Sequence, residues 1–172
     1  MSGTEDHVDR LRGQWATEIA DIDTEPMAIL GRAYRLSNLV RPSIEATFAG
    51  FGLDRGEFDV ISTLRRSGPP YRLTPTELYT LLMISSGGLT HRLDRLEKAG
   101  LIRRERSEND GRGFAVCLTD EGAQRAEMAF RADMASESAF LAGLDPAERV
   151  SLSGLLRKLL VGIESGAPAE TP

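Results

Sequence analysis

Apolar residues in this chain repeat mainly at helical spacing, and the first fifty residues contain two such segments. Residues 23–26 break the chain between them. The second segment, from about 27 to 48, is apolar on more than one side, which indicates more than one packing partner. Pro42 lies inside it and is expected to kink or split the helix. The first segment, residues 6–22, is amphipathic with the only tryptophan in the middle of its apolar face: Val8, Leu11, Trp15, Ile19 and Ile22.

Capping boxes predict the starts of the next two helices. Asp54 with Glu57 begins a helix that continues to about Arg66, and Thr74 with Glu77 begins another. In the first of these, Asp59 falls away from the apolar arc, so the local pattern predicts a solvated carboxylate. The apolar arc itself consists of Phe58, Val60, Ile61 and Leu64.

The segment 74–104 predicts a helix-turn-helix, with small residues 85–88 as the turn and Gly100 closing the second helix. Leu89, Leu93 and Leu96 of the second helix lie in one narrow arc, which we expect to be buried. Arg92 flanks that arc. The opposite side is short, polar and rich in donors, as a helix in the DNA major groove requires: Thr90, His91, Asp94, Arg95 and Lys98. Taken alone, the second helix fits an ordinary amphipathic surface helix equally well.

The apolar period changes to two between residues 101 and 118, around an Asn/Asp/Gly turn at 108–113. A hairpin directly after a helix-turn-helix is typical of a DNA-binding wing, although a generic exposed hairpin is the alternative. Arg112 at the tip is placed to enter the minor groove, where negative potential attracts arginine. Asp110 is placed to hold that guanidinium.

Two further helices are predicted to begin at Thr119 and at Asp145. Together with the helix near the N-terminus, they carry more apolar surface than a small winged unit can cover, so we expect burial between two subunits. A two-fold dimer would present its two recognition helices to successive major grooves. The apolar residues of the last helix are Val150, Leu152, Leu155, Leu156, Leu159, Leu160 and Ile163.

These elements predict a mainly α protein with a small β wing, built as a winged helix-turn-helix domain with N- and C-terminal dimerisation helices. The expected units are an extra N-terminal helix at 1–24, a dimerisation helix at 25–49, the DNA-binding domain at 50–118, C-terminal dimerisation helices at 119–164 and a disordered tail at 165–172.

Composition and charge restrict the function classes. The 172 residues carry a net charge of −5, but residues 85–114 hold seven basic and five acidic groups. Positive charge is therefore concentrated in the predicted DNA-reading unit, which consists of the helix-turn-helix and the hairpin. No apolar run is long enough to span a membrane, and no secretory signal is visible. Cys117 is the single cysteine, which excludes an intrachain disulfide and fits a reducing cytoplasm. We therefore expect a cytoplasmic DNA-binding protein.

Few residues of the chain are of the kinds that act in catalysis or bind a metal. The chain has two histidines, His7 and His91, and neither a nucleophile elbow nor a phosphate-binding loop. Two histidines and one cysteine do not readily supply a metal site. We expect no catalytic residues, no cofactor and no metal.

The stretch TPTELYTLLMISSGGLTHRLDRLEKAGLIRRERSENDGRGFAVCLTDEG resembles the MarR family of bacterial transcriptional regulators. The resemblance covers nearly all of residues 25–163. It implies a triangular winged-helix homodimer, usually a repressor, that leaves a pseudo-palindromic operator on binding a small aromatic or anionic ligand. The residues expected to contact DNA are Ser85, Ser86, Thr90, His91, Arg95, Lys98, Arg106 and Arg112.

A narrower resemblance is to the urate-responsive, PecS-type subgroup of that family. It is based on the extra helix with Trp15, the phrase GEFDVISTLRRSG with Asp59, and the arginines of THRLDRLEKAGLIRR. The resemblance implies a ligand pocket between the winged domain and the dimer helices. In it Trp15 would stack on a flat ring, Asp59 would meet the ligand or an arginine, and Arg92 and Arg104 would bind an anion. For Trp15, a packing anchor for the extra helix is the alternative.

Two other functions stay open at this point. The protein could sense oxidation through Cys117, although family members that use a thiol carry it near the N-terminus and Cys117 falls in a predicted wing strand. It could also be a winged helix that binds protein partners rather than DNA. As effector, urate, a related purine or a phenolic acid would each fit an aromatic-plus-arginine pocket.

Overall fold

The computed structural model describes residues 5–83, 88–106 and 113–166, and within them the predicted fold class is confirmed. A short π-helical segment, Met27–Gly31, precedes α2. The helices are α1 (His7–Glu18), α2 (Arg32–Ala49), α3 (Arg55–Arg66), α4 (Pro75–Leu81), α5 (Leu89–Lys98), α6 (Asp120–Phe140) and α7 (Pro146–Glu164). The strands are β1 (Arg72–Leu73), β2 (Ile102–Arg106) and β3 (Phe114–Leu118).

Helix α1 is shorter than the periodicity predicted, because it ends at Glu18 and leaves Ile22 outside it. A capping box of Asp6 and Asp9 begins the helix. Arg32 of α2 donates to both carboxylates, at 2.8 Å to Asp6 and 2.6 Å to Asp9. The Asp9 N–H and the Arg32 guanidinium lower the pKa of Asp6 to about 2. These polar contacts tie α1 to the start of α2.

Pro42 does not split the second helix, so that part of the expectation was wrong. Helix α2 continues through it to Ala49. A proline removes a single backbone hydrogen bond from a helix, and the turn that follows is held by packing, since Ile44 and Phe48 are buried in the core. The Phe48 ring stacks on Phe58 of α3 with a centroid distance of 4.0 Å.

Helix α3 lies at the centre of the molecule. Its predicted capping box is present, with the Glu57 N–H donating to Asp54 and the Asp54 N–H donating to Glu57, each at 2.8 Å. Helices α2, α4, α5 and α6 and strand β3 all contact it. Its predicted apolar arc is confirmed, since Phe58, Val60, Ile61 and Leu64 are all buried.

The sheet is antiparallel with strand order β1-β3-β2. The β2–β3 hairpin is confirmed, with Ile102 opposite Leu118 at one end and Arg106 opposite Phe114 at the other. Strand β1 was not predicted, because two residues are too short to show an alternating pattern. The turn that carries Asp110 and Arg112 lies outside the described residues.

Helix α6 begins in close contact with the backbone of Leu101, just after α5. Thr119 caps it by accepting from the Gly122 N–H at 3.0 Å, and the Thr119 N–H donates to the Leu101 carbonyl at 3.1 Å. A Cβ at position 122 would lie 2.0 Å from the Leu101 carbonyl oxygen. Only glycine lets the backbone of α6 come this close to residue 101.

Helix α7 follows its predicted capping box of Asp145 and Glu148 and buries none of its residues within the chain. Leu155 is 67% exposed and Ile163 is 65% exposed. The apolar face of α7 is therefore exposed to solvent. None of the helices in the described ranges combines the length and the apolar content needed to cross a bilayer.

Candidate functional site

The two helices of the predicted reading unit form as expected. Thr74 caps α4, with the Glu77 N–H donating to its hydroxyl at 3.2 Å and its own N–H donating to Glu77 at 2.7 Å. In α5, Leu93 and Leu96 are fully buried and Leu89 packs against the same core. The predicted buried seam of α5 is confirmed. Its packing on α3 fixes which side of α5 faces outward.

The opposite side of α5 is exposed to solvent. It presents the hydroxyl group of Thr90, the imidazole of His91 and the ammonium group of Lys98. Arg106 is exposed at the end of β2, on the strand that follows. Ser85 and Ser86 lie outside the described residues, as does Arg112.

Arg95 shares that exposed side, but its guanidinium is engaged within the chain. Its Nε lies 2.8 Å from Glu57 Oε1 and its Nη2 lies 3.1 Å from Asp54 Oδ2. Both carboxylates belong to the capping box of α3, and Glu57 is buried. The side chain of Arg95 therefore joins the outer side of α5 to the first turn of α3.

Arg104 joins the wing to the same helix. Its guanidinium lies 2.6 Å from Asp94 and 3.1 Å from Glu97, both on α5, and sits over the Phe114 ring at 5.3 Å from the centroid. Its N–H donates to Glu97 as well, at 3.1 Å. These contacts hold β2 against α5.

Arg92, which flanks the leucine seam, turns inward toward α3. Its guanidinium crosses the first turn of α3 so closely that a Cβ on Gly56 would lie 2.2 Å from its Nε. Gly56 is buried beneath it. The absence of a side chain at residue 56 makes room for the Arg92 side chain between α5 and α3.

A half-open cavity of about 950 Å³ lies between α2, α3 and α6, at the junction of the winged unit and the flanking helices. Most of its exposed wall surface is apolar, and charged side chains of both signs lie among the apolar ones. The residues that line it are Ile44, Phe48, Arg55, Phe58, Asp59, Ser62, Arg65, Arg66, Met83, Ala126, Glu127, Phe130, Arg131, Asp133, Met134 and Glu137.

Asp59 lines this cavity and is only 6% exposed, so the solvated carboxylate predicted from the local pattern was wrong. The apolar arc of α3 points at one neighbour, whereas α3 has neighbours on nearly every side. Asp59 Oδ1 accepts from the Met83 N–H at 3.2 Å, just after α4. Arg66, from the same wall, donates to the Leu81 carbonyl at the end of α4. The cavity wall is thus bonded directly to the first helix of the helix-turn-helix.

Trp15 and Arg104 do not lie with Asp59 in the described part of this single chain. Neither lines the cavity, and Trp15 is 49% exposed on α1. The deeply buried residue of α1 is Val8. Of the four predicted effector residues, the fold brings Asp59 to the cavity wall and Arg92 to the adjoining turn of α3.

Several charged residues of the cavity were missed by the sequence reasoning. Glu127 on α6 pairs with Arg131 at 2.7 Å and with Arg65 of α3 at 3.5 Å. The Arg131 guanidinium, with a smaller contribution from Arg65, lowers the pKa of Glu127. Asp133, six residues further along α6, is buried in the same wall. No local signal distinguishes these positions from charges on a solvated helix face.

Cys117 lies in strand β3, as predicted, where it is buried and its thiol donates to Glu105 at 3.3 Å. Burial, reinforced by the Glu105 carboxylate, raises the pKa of the thiol above its usual range. Because the thiolate is the nucleophile in cysteine oxidation, both effects make this thiol less reactive.

Comparison with known proteins agrees with this geometry. The MarR family model matches residues 51–113. The HTH-type transcriptional regulator PecS of Dickeya dadantii (strain 3937) is 37% identical over 146 residues, which cover 85% of this chain and 88% of PecS.

Solved structures give the same result. AbsC, a MarR family transcriptional regulator from Streptomyces coelicolor, superimposes with a TM-score of 0.70 at 26% identity, covering 84% of this chain and 97% of its own. A variant of MarR from E. coli, solved in complex with operator DNA, gives 0.66 at 28% identity, covering 81% of this chain and 99% of its own. This chain therefore belongs to the MarR family, and it is a transcriptional regulator rather than an enzyme.

Proposed function

We propose that this protein is a homodimeric repressor that binds a pseudo-palindromic operator and is released by a small aromatic or anionic effector bound in the cavity between α2, α3 and α6. One observation carries the proposal. Asp59 in the cavity wall accepts a hydrogen bond from Met83, at the end of the first helix of the DNA-reading unit. A ligand that engages Asp59 therefore acts on a group that positions the helix-turn-helix.

Uncovered apolar helices support the dimer. Helix α7 buries none of its residues in the chain, and α2 exposes Tyr34 and Leu39 to a similar degree. Covering both helices with a second copy removes apolar surface from water, and a closed two-fold contact uses the same surface twice. In this proposal residues 25–49 and 119–164 form the dimer, and residues 50–118 bind DNA.

The exposed side of α5 supports major-groove binding. Thr90, His91 and Lys98 present donors on a side that is free of core packing. Arg106 would contact the backbone or the minor groove beside the wing. Ser85, Ser86 and Arg112 complete the proposed set, with Asp110 steadying Arg112. The related MarR from E. coli was solved on operator DNA.

Release would follow from competition for the contacts that position α5. Arg92 packs on Gly56, and Arg95 is held by Asp54 and Glu57, so α5 follows the first turn of α3. An anionic ligand beside Asp59, one turn along, would repel that carboxylate and attract arginines such as Arg92. Shifting the dimer from binding to non-binding conformations by a factor of about 100 needs differential binding of about 2.7 kcal/mol.

The direct test is a titration of the full-length protein against duplexes from its own upstream region at several salt concentrations. We expect one dimer per duplex and a steep linear fall of log K with log salt, because phosphate neutralisation releases counterions. Urate, xanthine and salicylate are then added to the complex. A protein that binds no upstream duplex above the non-specific level would contradict the proposal.

Asp59→Asn and Arg92→Ala are expected to require about tenfold more effector for half-maximal release, a loss of roughly one charge-assisted contact. Gly56→Ala provides an independent route, because its Cβ forces the Arg92 guanidinium away while leaving the residue in place. Release is measured by fluorescence anisotropy of labelled operator. Gly13→Ala, where nothing lies within 4 Å of the new Cβ, is the matched control. A wild-type response in all three variants would refute the proposed route.

For Arg95 we propose that it positions α5 rather than reading DNA. Arg95→Ala and Glu57→Gln should then each weaken operator binding by a similar factor, about tenfold, and their effects should not add in the double variant. The salt slope should stay unchanged, whereas Lys98→Ala should reduce it by about 0.9. The Gln amide oxygen can still accept in the capping box, so Glu57→Gln keeps the cap and removes both the charge and the acceptor that face Arg95. A reduced slope in Arg95→Ala, with Glu57→Gln silent, would show a phosphate contact instead.

The alternatives receive less support. The raised pKa of Cys117 and its burial disfavour an oxidation sensor. A purely protein-binding winged helix would show no salt-dependent preference for its upstream duplex, so the same titration separates it from a DNA-binding regulator.

A further inference from the structure

Asp133 stands apart from the other charged residues of the cavity. It lies on α6 in the cavity wall and is 6% exposed. Its Oδ1 is fully buried and has no hydrogen-bond partner among the residues that the structure describes. Buried polar atoms are nearly always hydrogen-bonded in folded proteins, so an orphaned carboxylate oxygen in a cavity wall indicates a missing partner.

The groups around Asp133 do not provide that partner. Helix α2 contributes only Ile44 and Phe48 to the wall here. Helix α3 contributes Arg55, which acts on Asp133 by charge alone, and the buried Asp59, which accepts from Met83. On α6 itself, Glu137 follows one turn later and is a second carboxylate.

The cavity is therefore polarised. Its buried wall carries two carboxylates, Asp59 and Asp133. The arginines Arg65, Arg66 and Arg131 lie among the more exposed lining residues, where Glu127 pairs with Arg65 and Arg131. The stacked rings of Phe48 and Phe58 line the same cavity. A flat molecule that fits this arrangement presents hydrogen-bond donors inward and an anionic or acceptor edge outward.

We propose that Asp133 contacts the effector directly, accepting a hydrogen bond from an N–H or O–H group, and that it selects planar ring compounds with a donor on the edge opposite their anionic group. This inference rests on the proposed function, since it names the ligand class of the same cavity. A site built to accept a donor rejects an analogue that lacks it, because the buried acceptor is then left unpaired.

The protonation behaviour of Asp133 agrees with this role. Burial raises its pKa, Glu137 raises it further, and Arg55 acts in the opposite direction. A donor ligand favours the ionised carboxylate. Binding should therefore weaken as the pH falls, beginning at a higher pH than for an ordinary aspartate.

The experiment compares 4-hydroxybenzoate with 4-methoxybenzoate, which keep the same carboxylate and differ in the donor. Titration calorimetry of the full-length wild type should give at least about tenfold tighter binding of the hydroxy compound. Asp133→Leu, similar in size without an acceptor, should weaken the hydroxy compound by about 10- to 100-fold and leave the methoxy compound within about twofold. Glu121→Gln, which removes an exposed carboxylate of the same helix outside the cavity, should keep the preference.

Stability provides a second measurement that needs no ligand. A carboxylate whose pKa is raised in the folded state destabilises the protein above that pKa, and the effect disappears as the pH falls below the unfolded value. Asp133→Asn should therefore melt about 2 °C or more above the wild type at pH 7, with the difference vanishing near pH 3.5. A lower melting temperature at pH 7 would show that Asp133 has a stabilising partner and would overturn the inference.

The remaining outcomes separate this inference from the proposed function. An unchanged preference in Asp133→Leu, with release of operator still caused by the hydroxy compound, overturns the role of Asp133 and leaves the repressor intact. Normal operator binding, but no wild-type binding of the hydroxy compound or urate at millimolar concentration, overturns the ligand class alone. Failure to bind the operator overturns the proposed function by itself.

Discussion

Leu155→Glu combined with Ile163→Glu is expected to convert the protein into a monomer and to weaken operator binding by about 10²- to 10⁴-fold, the range in which linked binding sites exceed single ones. Leu155 and Ile163 are each about two-thirds exposed on α7, and no residue of that helix is buried. Two glutamates on each copy would place four carboxylates in the contact between the subunits. Charges buried without partners oppose association far more strongly than the lost apolar area alone.

Oligomeric state is measured by sedimentation velocity at micromolar concentration, and operator affinity by anisotropy at constant salt. Ser151→Glu is the matched control, because it adds a carboxylate at an exposed polar position of the same helix. Circular dichroism should show that the winged unit persists, since α3, α5 and the sheet share a core that does not involve α7. A double variant that remains dimeric, or a monomer with wild-type operator affinity, would contradict the proposed assembly.

Gly122→Ala is expected to lower the free energy of unfolding by about 2–4 kcal/mol, in the range of severe overpacking in a core. The new Cβ would lie 2.0 Å from the Leu101 carbonyl oxygen and 2.9 Å from its carbonyl carbon. Both are backbone atoms, so no rotamer change relieves the clash. Helix α6 must move away from residue 101, which weakens the Thr119 N–H bond to the same carbonyl.

Urea unfolding at one fixed protein concentration measures this effect, because the stability of a dimer depends on concentration. Gly13→Ala, in helix α1 with open space around the new Cβ, should be neutral or stabilising by up to about 1 kcal/mol. Of these two helical glycine variants, only Gly122→Ala is thus expected to lower the free energy of unfolding. Equal stability of the two variants would show that α6 does not approach residue 101 so closely.

The local patterns that succeeded were those whose meaning depends on a few neighbouring residues. Capping boxes at Asp54, Thr74 and Asp145 begin helices at the residues expected of them. The leucine seam of α5 is buried, and the hairpin forms between residues 102 and 118. Helix α1 ended early and Pro42 did not split α2, because the end of a helix depends on packing as well as on periodicity.

The sequence by itself determined the helix-turn-helix and wing, the exposed donors of α5 and the apolar surplus of the terminal helices, because each follows from the period of the chain. Only the tertiary structure decided which charged side chains meet. Asp59 is buried, Arg95 and Arg104 pair with carboxylates, and one oxygen of Asp133 lies in a cavity wall without a hydrogen-bond partner in the described part of the chain. The physical reason is that a charge responds to whatever approaches it from distant parts of the chain, and periodicity records only the direction in which a side chain points.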